Sequence, residues 1–224
     1  HYDDKVSQYF IFITNNISIP ETNLFLNEND AIDFFERADY PLIFKSAEGA
    51  GSTNVKIVSS NKEAKQLAKK IFGRGLKTFF KNKKQKGYLL VQNFEKDNPG
   101  DYRLVVYGKK VLGFFRSNRD NEPLASGSKR FVIKDIPKEL LEIAYHVSKK
   151  LNYKVMSYDF ILGSDSKWVI TEMSVIYGDV NETVYNDAKV YERLQDGKWD
   201  ECSEVGNHYQ NMAEYVLESW EIDE

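Results

Sequence analysis

Apolar residues along this chain recur with two spacings, and the spacings predict its elements. Val6, Tyr9, Phe10 and Ile13 predict an amphipathic helix ending before Asn15-Asn16, followed by a strand entry over Ile17 to Pro20. Asp30 is a suitable cap for a short helix reaching Ala38. Pro41 opens the run Leu42-Ile43-Phe44, which ends at Lys45, and a strand is predicted over Val55 to Ser59. Asn61 heads a helix with the stripe Ala64, Leu67, Ala68, Ile71, and Gly73 stops it. Tyr88 to Phe94 reads as a strand. Tyr102 to Tyr107 and Val111 to Phe115 read as a hairpin turning at Gly108-Lys109. Pro137 fits the first turn of a helix with the stripe Leu140, Ala144, Val147, Leu151. A last helix places Tyr209, Met212, Ala213, Val216 and Trp220 on one side.

Two further runs, Val155 to Leu162 and Trp168 to Ile176, predict a second hairpin. A two-residue loop at Asp165-Ser166 sets Asp159 opposite Glu172, with Ser157, Ile161, Ile170 and Ser174 on the same face. The other face, Tyr158, Phe160, Leu162, Val169, Met173 and Val175, is then core. Like charges opposed on a sheet repel, so a cation belongs between them. Mg²⁺ held by one or two carboxylates and phosphate oxygens meets that need. One acidic residue on each solvent face of an ordinary hairpin is the bland alternative. Helices mixed with strands that come mostly as hairpins predict an α+β fold with antiparallel sheets, not a doubly wound parallel sheet.

Composition narrows the classes. A chain of 224 residues buries a real core, as one large domain or two small ones. A net charge of −3 gives no field that argues for nucleic acid. The single cysteine, Cys202, excludes an intramolecular disulfide and suits a reducing, cytoplasmic compartment. No run is long and apolar enough to span a membrane. The three histidines do not stand at ligand spacing, and no nucleophile elbow, dinucleotide fingerprint or Walker-type lysine is present.

Three segments suit anions. Lys45 precedes Gly49-Ala50-Gly51-Ser52-Thr53-Asn54, where glycines let backbone N–H groups approach phosphate; a plain hairpin loop is the competing reading. In the hairpin at Gly108-Lys109, Asp101 faces Arg116 and Arg103 faces Phe114. This gathers two arginines and an acid at one end, either to grip a phosphate or carboxylate or as a surface salt bridge. The polar stretch Arg116 to Arg130 is either a cationic cover or a connector.

The order Asp4-Lys5, Pro41 to Lys45, Gly49 to Ser52, Val91-Gln92-Asn93-Phe94, Asp101-Tyr102-Arg103, Gly108 to Gly113, Asp159 and Glu172-Met173-Ser174 resembles the ATP-grasp superfamily over about residues 3 to 177. It is most similar to the branch that includes the ribosomal-protein glutamate ligase. The resemblance implies two α+β subdomains with ATP between them. Residues 1–16 would lead into the domain, 17–88 would form the first subdomain and 89–177 the second, with 178–224 as a helical tail. Lys5 and Lys45 match the lysines on the phosphates, and Gly49, Gly51 and Ser52 the flap above them. Gln92, Asn93 and Phe94 match the adenine linker, and Asp101 the acid near ribose. Arg116 and Arg130 match the cation beside the γ-phosphate, and Asp159, Glu172 and Ser174 the Mg²⁺ ligands.

The implied activity is an ATP-dependent carboxylate–amine ligation through an acyl phosphate. The alternatives are an ATP-binding module without ligase activity and a kinase on the same scaffold. The tail resembles those of ATP-grasp proteins linked to surface polysaccharides, a resemblance that implies a saccharide carboxylate as a further substrate, and a homodimer is in keeping with the family. Three departures stand out. Ser174 replaces the usual asparagine, Ser157 replaces a frequent arginine, and the pre-ATP-grasp domain of about a hundred residues that usually comes before Asp-Lys is not in the sequence.

Overall fold

The computed structural model describes residues 4–46, 55–78, 82–120, 122–175, 184, 187–202 and 207–221, with side chains described to 219. Two compact units divide it, residues 1–97 with 163–169, and 98–162 with 170–224. The boundary therefore falls at Asp97, not at residue 88.

In the first unit, helix α1 (Lys5–Thr14) starts at Asp4, whose Oδ1 accepts from Val6 N at 2.9 Å. Its buried side is Lys5, Gln8 and Phe12, while Phe10 and Ile13 are exposed, so the apolar stripe expected there is not the packed one. Strand β1 is Thr22–Phe25, later than the expected Ile17 to Pro20. Helix α2 (Glu28–Phe35) is capped by Asn27, whose side chain accepts from Asp30 N at 2.9 Å. Asp30 therefore lies inside the first turn instead of capping it, and Glu28 and Asp30 favour the helix N-terminus electrostatically.

Strands β2 (Leu42–Lys45) and β3 (Val55–Val58) precede α3 (Asn61–Phe72). Ser60, one residue before the expected cap, accepts from Glu63 N, and Gly73 ends the helix. A short ribbon, β4 (Leu76–Lys77) with β5 (Lys84–Gln85), leads to β6 (Leu89–Asn93). The antiparallel sheet runs β1-β6-β2-β3. Phe35, Leu42, Phe44, Val58, Ala64, Leu67, Ala68, Ile71, Leu89 and Val91 form the core that joins α2 and α3 to it. This is the stripe read from the sequence for α3.

The second unit is built on β7 (Gly100–Tyr107) and β8 (Lys110–Ser117), antiparallel with Asp101 opposite Arg116 and Arg103 opposite Phe114, as the Gly108 turn predicts. Gly108 sits at φ +58 in that turn, where its lack of a Cβ matters. Strand β9 (Phe131–Val132) pairs with β8. Helix α4 (Lys138–Leu151) follows Pro137 and buries Leu140, Leu141, Ala144, Tyr145, Val147 and Ser148; Leu151 is only half-buried. Strands β10 (Val155–Leu162) and β11 (Trp168–Ser174) follow, then β12 (Lys189–Arg193), β13 (Trp199–Glu201) and helix α5 (His208–Glu221).

The second sheet runs β11-β10-β7-β8-β12-β13. A purely helical tail is thus corrected: β12 and β13 extend this sheet. The inward side of α5 is also corrected. His208, Met212 and Ser219 are buried, while Tyr209 and Ala213 are exposed.

The turn between β10 and β11 closes with Gly163 N donating to the Lys167 carbonyl at 2.7 Å and Ser166 N to Gly163 at 2.9 Å. Ser166 takes φ 61. The loop is Ser164-Asp165-Ser166, one residue longer than expected, and this shifts the register: counted from the Gly163–Lys167 pair, Thr171 stands opposite Asp159, which corrects the expected Asp159–Glu172 opposition. Tyr158, Phe160, Val169 and Met173 are core as read, whereas Leu162 is exposed. Ile170, Ser157 and Asp159 are buried too, so β10 is covered on both faces.

Candidate active site

Asp159 lies on β10 directly opposite Arg103 on β7. Arg103 Nε donates to Oδ1 at 2.7 Å and Nη2 to Oδ2 at 2.8 Å. Arg116, on β8, donates from Nη2 to the same Asp159 Oδ2 at 2.6 Å. Its Nε and Nη2 also hold both oxygens of Asp101 at 2.7 Å. Asp101, Arg116 and Asp159 are buried, and the side chain of Arg103 is 12% exposed. The four groups make a nearly neutral unit of two carboxylates and two guanidiniums with bidentate contacts.

Taking such charges out of water costs several kcal/mol per ion, which good geometry must offset. Burial pushes the Asp159 carboxyl upward, but Arg103 and Arg116 outweigh it and hold it well below the usual carboxylate range. Asp101 is pushed above its usual range, by burial first, and Asp159 adds to that against the pull of Arg116. The guanidinium of Arg116 is pushed up by the two acids in spite of its burial.

The sequence-predicted residues distribute as follows. Asp101, Arg103, Arg116 and Asp159 come together. Ser157 Oγ donates to the Ser174 carbonyl at 2.8 Å, and Thr171 Oγ1 donates to the Asp159 carbonyl at 3.2 Å, so β11 lies along β10 at this point. Glu172 and Ser174 are half-buried. Arg130 is half-exposed and pairs with Asp120, apart from the four-residue unit. Arg119 is held by Glu122 and the Ser126 carbonyl, so the stretch expected as a cationic cover partly satisfies itself.

In the first unit, Lys5 begins α1 and Lys45 ends β2, both buried. Gln92 Nε2 donates to Thr22 Oγ1 at 2.8 Å, Asn93 Nδ2 to Glu21 at 2.8 Å, and Phe94 follows β6. Gly49, Gly51 and Ser52 lie outside the described residues. Both oxygens of Asp101, the residue that matches the acid near ribose, accept from Arg116. Arg103 as a direct partner of Asp159 escaped the sequence, because no local pattern says that β10 pairs with β7.

The donor set near Asp159 is of the hard-oxygen kind that Mg²⁺ prefers. Three N–H bonds occupy most of the roughly four acceptor positions of that carboxylate. Mg²⁺ needs only one or two carboxylates beside phosphate oxygens, and about one acceptor position of Asp159 is left for it. Among the described residues no group of three or more His, Cys, Asp or Glu side chains is gathered to hold a metal.

Two α+β units with antiparallel sheets, the second carrying a buried acid–arginine centre, are the architecture of an ATP-grasp domain. The model of the RimK-like ATP-grasp domain matches residues 2–184, and the chain belongs to that family. The chain is 24% identical over 181 residues to the alpha-aminoadipate–LysW ligase LysX of Saccharolobus solfataricus, covering 77% of this chain and 61% of that protein.

Its fold is similar to a RimK domain ATP-grasp protein from Sphaerobacter thermophilus (TM-score 0.54, 19% identity, 77% of this chain and 57% of that one). It is also similar to the D-cycloserine synthetase DcsG (TM-score 0.62, 14% identity, 83% and 66%) and to the D-alanine-D-alanine ligase of Coxiella burnetii (TM-score 0.54, 15% identity, 80% and 49%). The chain thus spans about six tenths of the length of the curated relative it matches. Among the described residues no helix is long and apolar enough to cross a membrane.

Proposed function

We propose that this chain is the nucleotide-binding and catalytic part of an ATP-dependent carboxylate–amine ligase. The observation that supports this best is the buried Asp101–Arg116–Asp159–Arg103 unit. In the motif order that resembles the family, these residues match Asp-x-Arg, the cation beside the γ-phosphate and the first metal acid, which supports the reading. In this reading Lys5 and Lys45 neutralise the phosphates. Arg103 and Arg116 keep Asp159 ionised and oriented, and Asp101 positions Arg116. Asp159, Glu172 and Ser174, which match the family's metal ligands in motif order, would hold Mg²⁺, which when bound supplies charge neutralisation on the phosphate oxygens.

The substrate carboxylate attacks the γ-phosphorus and ADP leaves, giving an acyl phosphate. The amine then attacks the acyl carbon, phosphate leaves, and the amine loses a proton as the amide forms. This chemistry is driven by positioning and electrostatics, not by a protein nucleophile. The sequence accordingly carries no Ser–His or Cys–His constellation. The carboxylate belongs to a small molecule or saccharide, including surface-polysaccharide precursors, and the setting is cytoplasmic.

The occupation of Asp159 by two arginines, together with Ser174, favours a second reading, an ATP-binding module without ligation. Thermal unfolding with Mg²⁺-ATP, against Mg²⁺ or ATP alone, tests the shared part. A nucleotide at a hundredfold excess over its dissociation constant stabilises by about 2.7 kcal/mol. No shift rejects both readings. A shift with phosphate release and amide formation in the presence of pooled acids and amines supports the first. A shift without phosphate release supports the second. A phosphorylated hydroxyl without amide makes the protein a kinase.

A further inference from the structure

At the opposite end of the β7–β8 hairpin from Asp101, a cleft of about 1160 Å³ opens between the Gly108 turn, the C-terminal end of α4, β12 and α5. Tyr107 lies six positions beyond Asp101 on β7, about 20 Å along a strand at ~3.3 Å per residue, so this cleft is distinct from the acid–arginine centre.

Basic groups line it, with Lys109 on the turn, Lys110 at the start of β8 and Lys149 on the last turn of α4. Glu214 and Glu218, one helical turn apart on α5, are acidic, and Glu192 on β12 stands directly opposite Lys110 in the β12–β8 pair. Among the described residues no ion pair joins these lysines to these glutamates. Tyr145 and Tyr215 add flat amphipathic faces.

Tyr107 also lines the cleft. It is only 3% exposed, and its buried hydroxyl has no hydrogen-bond partner. Burial pushes its pKa up to about 12, so it remains a neutral donor at physiological pH. A buried polar group left unpaired is costly and calls for a partner.

We propose that this cleft binds a peptide segment bearing both an acidic and a basic group. Its carboxylate meets Lys109, Lys110 and the Tyr107 hydroxyl, and its ammonium meets Glu214 and Glu218. The three carboxylates repel polyanions such as nucleic acid or polyphosphate, and the lysines repel polycations. A ligand of mixed charge satisfies both sets of groups. The volume is that of a cleft for a drug-sized or larger ligand, more room than a free amino acid needs. The site is independent of the ligase reading, since it uses none of the residues assigned to ATP.

The test uses the full chain, first without nucleotide. End-capped Glu-Gly-Lys, Glu-Gly-Glu and Lys-Gly-Lys tripeptides are titrated while amide NMR shifts are followed. The mixed peptide should shift resonances of the Gly108 turn and of α5, with at least tenfold tighter binding than either single-charge peptide. Lys109→Glu and Glu218→Lys should each weaken it about tenfold with unchanged melting temperature. Tyr107→Phe should weaken it several-fold without loss of stability, a split that a merely structural hydroxyl would not give. Peptide binding should be the same with and without Mg²⁺-ATP, which separates failure here from failure of the ligase proposal. Equal binding of all three peptides, or no shift at millimolar concentration, overturns the proposal.

Discussion

Arg103 grips Asp159 with two parallel bonds, Nε to Oδ1 at 2.7 Å and Nη2 to Oδ2 at 2.8 Å, across a strand pair in which the two residues stand directly opposite. The acid is thus already neutralised inside the sheet before any nucleotide or metal binds. This changes what substitution of Asp159 does. Asp159→Asn leaves two buried guanidiniums short of a partner, and breaking a buried ion pair costs about 3–5 kcal/mol. A loss of that size in chemical denaturation is expected together with loss of ATP turnover. Glu172, half-buried on β11, is different. Glu172→Gln should cost under ~1 kcal/mol, while the Mg²⁺-dependent part of the nucleotide thermal shift disappears. Equal destabilisation by the two substitutions would contradict this division.

Arg116 is the shared member, bonded to Asp101 and Asp159 at once. Arg116→Met removes the bridge and leaves both acids buried, so a loss of about 3–5 kcal/mol is expected. Arg116→Lys should recover little of it. An ammonium is a point donor and cannot reproduce the planar fork that spans three carboxylate oxygens. Urea denaturation of the two variants measures this, and near-complete recovery by lysine would show that charge alone matters at this position.

The two acids should titrate in opposite directions from the ordinary Asp value of about 3.9. Asp159 is depressed by Arg103 and Arg116, so its contribution to stability is present above that value and fades as pH falls through its folded pKa. Asp101 is raised by burial, so it takes up a proton first as pH falls, and that uptake favours the folded state relative to the unfolded one. Carboxyl carbon NMR through an acid titration should show the Asp101 midpoint above about 3.9 and the Asp159 midpoint below it. The reverse order would mean that Arg116 serves Asp101 in preference to Asp159.

Much of this centre was legible because a hairpin carries its own register. A turn at Gly108-Lys109 and a side-chain period of two are enough to set Asp101 against Arg116. What joins Asp159 to Arg103 is the adjacency of β10 and β7, a pairing across α4 that no local spacing encodes. The same limit hid β12 and β13, short strands whose place is decided by the edge that β8 offers. In α1 the hydrophobic stripe misled, because Lys5, Gln8 and Phe12 are the buried side while Phe10 and Ile13 face outward. The α3 stripe succeeded because Ala64, Leu67, Ala68 and Ile71 face a sheet of matching apolar residues.

Gly100 ties the strand geometry to the charged centre. It opens β7 opposite Ser117, immediately before Asp101. A Cβ built there would lie 1.9 Å from the Arg116 carbonyl oxygen, 2.9 Å from its carbon and 2.6 Å from Phe115 Cζ. The Phe115 ring edge can shift, but the Arg116 carbonyl is main chain in the paired strand and cannot move without moving Arg116. Forcing extra volume into a packed site costs typically 1–3 kcal/mol, and the backbone clash puts Gly100→Ala at about the top of that range or beyond it. Because β8 would be displaced just where Arg116 departs, the bonds to Asp101 and Asp159 should loosen as well. Unfolding measurements read the first effect, and the Arg116 Nε–H resonance, slowed in solvent exchange by its bond to Asp101, reads the second. Destabilisation with that resonance still protected would mean that the strand end yields without disturbing the arginine.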